Sequence, residues 1–142
     1  AWETGCTIEA LSREGGLDEG FRSIYASIDE IHQHRDNKIY KAIYNGQRSL
    51  KEALTSMITT RGDDLNSFCF EMDEYCQAIL AGGSTAENFF VDIYSLDDGD
   101  DIFAPEYFLK SNPVLCQTDE GMETMMADAQ TARDARRRAL AD

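Results

Sequence analysis

Between Gly62 and Leu109 the chain has no Lys, Arg or His, while it carries twelve carboxylates: Asp63, Asp64, Glu71, Asp73, Glu74, Glu87, Asp92, Asp97, Asp98, Asp100, Asp101 and Glu106. With a formal net charge of -14, this argues against general nucleic-acid binding, because phosphate backbones are held by clustered Lys and Arg with few carboxylates nearby. No apolar run approaches the roughly 18 residues that a membrane-spanning helix needs. The sequence has no Asn-x-Ser/Thr acceptor, so a secreted form carries no N-linked glycan. Its two histidines, His32 and His34, lie about 200° apart if the segment is helical, too far around to hold one metal together. The acidic run Asp97 to Asp101 lacks the Asp-x-Asp-x-Asp-Gly register of a calcium loop. No cofactor, no metal and no catalytic residue is expected, and the chain reads as non-enzymatic.

The four cysteines, Cys6, Cys69, Cys76 and Cys116, are an even number without zinc-type Cys-x-x-Cys pairs. They read as two disulfides in a protein outside the cytosol. The absence of an initiating Met at Ala1 fits a mature product after signal removal, or a trimmed chain. The competing expectation is four reduced thiols in a cytosolic adaptor.

Apolar residues recur at helical spacing through Phe21, Ile24, Tyr25, Ile28, Ile31, Ile39 and Ile43, after a plausible cap at Asp18 and before Asn45-Gly46. A second series runs from Leu50 through Met57, Leu65, Phe68, Met72 and Ile79 to Gly82-Gly83, with a weak point at Gly62. Ser84-Thr85-Ala86-Glu87 matches a capping box opening a short helix to about Leu96. Pro105 opens a helical turn, and Thr118 caps a final Ala-rich helix from Asp119 to Leu140.

The fold expected from this pattern is all-α: one domain over residues 1–142, an elongated antiparallel three- to four-helix bundle with short extra helices. Cys69 and Cys76, seven positions apart on one helix, are about 10 Å distant and cannot bond to each other. Each therefore pairs with Cys6 or Cys116, stapling one end of the bundle. Five cations between Arg35 and Lys51 and four between Arg133 and Arg138 gather at the opposite end, giving a rod with poles of unlike sign.

From these surfaces the expected function is a non-enzymatic, extracellular protein-interaction module or subunit of a secreted or cell-surface assembly. Its expected partner is another protein or copies of itself, with no nucleic acid. The candidate partner-binding residues are Lys38, Lys41, Tyr44, Arg133, Arg136, Arg137 and Arg138, since Tyr and Arg are favoured at protein contacts. The alternative is a carrier of a small apolar ligand held between aromatic residues Phe89, Phe90, Phe103 and Phe108 and the adaptable side chains of Met122, Met125 and Met126.

Overall fold

Residues 25–29 leave the helical expectation at once: Ala26 and Ile28 are buried while Tyr25, Ser27 and Asp29 are exposed, the two-residue period of a strand. The structure, a computed structural model, describes residues 5–11 and 22–140. The proposed cap Asp18 and Phe21 fall outside those residues. The chain divides into two compact units, Ala1–Phe89 and Phe90–Asp142.

In the first unit, strand β1 (Tyr25–Asp29) is followed by a 3-10 turn at Ile31–Gln33, helix α1 (Lys38–Gln47) and strand β2 (Leu54–Ile58). The strands pair in parallel, in a register running from Tyr25 opposite Leu54 to Asp29 opposite Ile58. Parallel pairing needs a long crossover, and the segment containing α1 supplies it. Helix α2 (Phe68–Leu80) then starts at Ser67, whose hydroxyl accepts from the Phe70 N–H at 3.2 Å and donates to the Asp64 carbonyl at 2.7 Å. Past its end, Gly82 takes φ 75°, a conformation that glycine adopts without strain. Ala26, Ile28, Ile31, Ile43 and Cys69 form the core of this unit, with Ile39, Tyr40, Met57 and Met72 packed against it.

In the second unit, helix α3 (Pro105–Ser111) has proline in its first turn, where no amide partner is needed. Lys110, near its end, reaches back to Asp97 at 2.6 Å and Asp100 at 2.7 Å. The acidic turn thus grips an ammonium, which holds the Asp100 carboxyl below and the Lys110 ammonium above their ordinary ranges, chiefly through these side-chain hydrogen bonds. After a 3-10 turn at Leu115–Gln117, helix α4 (Asp119–Ala139) begins at Thr118, whose hydroxyl accepts from the Gly121 N–H at 3.1 Å.

The architecture is therefore mixed α/β, a two-stranded parallel sheet with four α-helices among the described residues, and not an all-α bundle. Ile24, Ile28 and Ile31 satisfy a helical template by spacing alone, but Ile24 lies in a bend and the chain from 25 to 29 is a strand. Thr55, Ile58, Thr59 and Thr60 are β-branched, which crowds the preceding turn of a helix and suits a strand and its exit. The expected second helix exists only from Phe68 on. The capping-box sequence at Ser84 opens no helix either: Phe89 N–H bonds the Ala86 carbonyl in a single turn, and residues 88–96 form no regular element.

The disulfide staple is absent too. Cys6, Cys69, Cys76 and Cys116 are all free thiols. Cys69 is buried among the apolar core residues of the first unit and Cys116 is buried in the second, where each behaves as a small hydrophobe. Burial, reinforced by the nearby Asp73 carboxylate, pushes the Cys76 thiol up, away from the reactive thiolate.

Candidate functional site

In open sheets with parallel strands, ligands bind outside the carboxyl ends of the strands, because the connecting loops diverge there. At that edge β1 delivers an acidic pair, Asp29 and Glu30, both exposed. The Glu30 N–H donates to the Ile58 carbonyl at 2.8 Å and to Asp29 Oδ1 at 3.0 Å, so the turn is fastened to the end of β2 and to its own neighbour. The backbone of Glu30 lies in the left-handed region at φ 52°, ψ 50°. A bulky non-glycine residue held there is strained, and such strain concentrates where a side chain must be aimed.

Two histidines brace this edge. His34 Nε2–H donates to the Asp29 carbonyl at 3.2 Å. His32 Nδ1 lies 3.0 Å from Glu30 Oε2 and 2.9 Å from Thr59 Oγ1, just past the end of β2. Beyond Thr59, Arg61 meets Asp73 of α2 at 2.6 Å, and Asp73 also accepts from Gln77 at 2.9 Å. Ion pair and hydrogen bonds thus run from the exit of β1, across the exit of β2, and from there into α2.

None of the residues proposed from the sequence as partner-binding or apolar-ligand residues forms this edge; His32 and His34, set aside there as a metal pair, do. Lys38, Lys41 and Tyr44 lie on α1 of the first unit, and Arg133, Arg136, Arg137 and Arg138 on α4 of the second. Arg133 stacks over the Phe103 ring at 5.1 Å and approaches Asp101 at 3.8 Å, so it stands beside carboxylates of the acidic middle and not apart from them. Of the aromatic and methionine set, Phe103, Phe108 and Met126 line a recess of about 190 Å3 with Pro105, Ala129, Gln130 and Arg133. That volume is below the roughly 300–1,000 Å3 of pockets for small-molecule ligands. Phe89 packs edge-on against Tyr75 in the first unit, Phe90 is 89% exposed, and Met122 and Met125 are half-buried on α4.

Asp29 and Thr59 are not singled out from the sequence, and His32 is weighed there only as a metal ligand, because an acidic pair is inconspicuous in an acidic chain and the helical template absorbed it. The usable signal is the run Ile24 to Ile28, apolar but for Ser27 and closed by two acids, followed by a helix and a second short run rich in β-branched residues: a strand, crossover and parallel strand.

Residues 3–78 match the family described as Terminase large subunit, ATPase domain. Protein YmfN of Escherichia coli (strain K12) is 28% identical over 113 residues, covering 75% of this chain and 25% of that protein. The crystal structure of the HK97 bacteriophage large terminase superposes with a TM-score of 0.70 at 22% identity, over 89% of this chain and 26% of that one. The chain spans about a quarter of the length of both relatives.

These findings overturn the functional expectations drawn from surface charge. The reading as a non-enzymatic interaction module falls to a family whose description is that of an ATPase domain, and the apolar-ligand carrier falls with it. The secreted or cell-surface location rested on disulfides, and the thiols are free. The exclusion of nucleic acid rested on net charge alone, and it falls to the match with terminase large subunits. By a match extending over more than half of its 142 residues, the chain belongs to the ATPase-domain family of terminase large subunits.

Proposed function

We propose that this chain supplies the metal-facing and water-facing carboxylates of an ATP-hydrolysing domain in a phage DNA-packaging terminase large subunit, acting in the cytoplasm. The observation that carries this reading is the placement of Asp29 as the last residue of β1 and Glu30 directly after it, at the carboxyl edge of parallel strands, in a chain of this family. In P-loop ATPases an aspartate at that position holds magnesium, and a further polar residue orients the attacking water. Asp29 is assigned the first role and Glu30 the second.

The residues fit the metal-facing half of such a site. Magnesium binds through one or two carboxylates, with phosphate oxygens and water filling its remaining positions. That matches an exposed acidic pair at the carboxyl edge of the strands. The phosphate-cradling sequence Gly-x-x-x-x-Gly-Lys-Ser/Thr does not occur in these 142 residues. Magnesium bound with ATP neutralises charge developing on the phosphates. Within this chain, Asp29 and Glu30 present the carboxylates, His34 pins the backbone behind Asp29, and the backbone bond from Glu30 to Ile58 fixes the turn that aims them. The exposed cations Arg136, Arg137 and Arg138 of α4 are suited to contact the phosphates of nucleic acid.

A titration of the full chain with Mn2+ and ATP, followed by amide NMR, tests the assignment. Paramagnetic broadening is expected at residues 29–32 and 59–61, and Asp29→Asn is expected to remove it. Broadening centred on Asp97 to Asp101, or none at the strand edge, overturns the reading.

A further inference from the structure

We infer that His32 is a positioning residue: it holds the Glu30 carboxylate through Nδ1–H and ties it to Thr59, making the exits of both strands one mechanical unit. The inference rests on the reading of Glu30 as the water-orienting group.

The hydrogen-bond inventory determines the arrangement. Thr59 has one hydroxyl proton, and Oγ1 donates it to the Thr60 carbonyl at 2.8 Å. Its two lone pairs face His32, accepting from the backbone N–H at 3.2 Å and from Nδ1 at 2.9 Å. That is the full capacity of a hydroxyl, one donor and two acceptors. An ionised Glu30 carboxylate can only accept, and Oε2 stands 3.0 Å from the same Nδ1. Both partners being acceptors, the ring proton belongs on Nδ1, shared between the carboxylate and the threonine.

Packing holds the ring in place. Gly62 passes so close that a Cβ there would stand 3.0 Å from His32 Cβ. A side chain at 62 would crowd the base of the His32 side chain, so glycine suits this close approach of the segment after β2. The His32 side chain is 23% exposed and Glu30 48%, which leaves the carboxylate open to solvent on the side away from the ring. Supporting groups of this kind fix the direction of a functional side chain without touching the reacting atoms.

Long-range 1H–15N NMR of the full chain tests the inference. The ring proton is expected on Nδ1, and Glu30→Ala is expected to shift the amides of Thr59 through Gly62. This response should persist when combined with His32→Asn, whose side-chain NH2 stands where Nδ1–H stood. It should be lost when combined with His32→Gln, which places its amide elsewhere, or with Thr59→Val. A ring proton on Nε2, or an undiminished response with His32→Gln and with Thr59→Val, overturns the inference while Mn2+ broadening at the strand edge persists. Absence of that broadening, with the ring proton on Nδ1, overturns instead the nucleotide reading and the positioning role that depends on it.

Discussion

Glu30 is the one non-glycine residue at positive φ among the described residues. Nothing local favours a glutamate there, since its long side chain gains none of the backbone hydrogen bonds that let Asn or Asp tolerate this region. The strain is retained because the amide is anchored to Ile58 and the carboxylate to His32. Glu30→Gly relieves a penalty of about 1–2 kcal/mol, offset by about 0.5–1 kcal/mol through the freer unfolded chain. Since it also removes the carboxylate that His32 holds, the comparison is with Glu30→Ala, which lacks it equally: Glu30→Gly is expected to be the more stable of the two by up to about 1.5 kcal/mol in urea unfolding monitored at first-unit core amides. A Glu30→Gly chain less stable than Glu30→Ala would show that the conformation is unstrained. Single residues were unevenly legible in the sequence. Thr118 announces itself as a cap because an acidic first turn and an Ala-rich helix follow it. Ser67 does not, because Asp63 and Asp64 offer equally good cap chemistry a few residues earlier.

At the scale of elements, helices with their own stop and start signals could be read, and short strands could not. Helix α4 is long, Ala-rich and capped, and its start at Asp119 follows directly from the sequence. Strands β1 and β2 have five residues each, too few for alternation to outvote a helical spacing that continues into their neighbours. What separates the readings is long-range: β1 becomes a strand because β2 pairs with it across α1, and pairing partners are invisible to a local window. Within α4 one position bears directly on packing. A Cβ at Gly121 would fall 1.9 Å from the Leu115 carbonyl oxygen, a backbone atom that cannot swing aside. Gly121→Ala is therefore expected to destabilise the second unit by about 3 kcal/mol or more, read as a lowered melting temperature with loss of amide dispersion confined to residues 90–140. A variant that melts with the parent chain would show that the preceding 3-10 turn shifts freely.

At the scale of the whole molecule, the acidic surplus that dominates the composition proved a poor guide. A net charge of -14 describes the average surface, but the candidate site uses two of the chain's carboxylates, chosen by their place at a strand edge. Parallel sheets are ordinarily covered on both faces, whereas here Ile24, Tyr25, Leu54 and Ile58 are each more than half exposed. The central claim is that Asp29 and Glu30 serve ATP hydrolysis. The most direct measurement is Mg2+-dependent ATP turnover by a chimera in which this chain replaces the segment it matches in the HK97 bacteriophage large terminase. The account predicts measurable turnover that Glu30→Gln lowers by about 100-fold or more with ATP still bound, and that Asp29→Asn makes dependent on higher Mg2+. Turnover unchanged by both substitutions would contradict it.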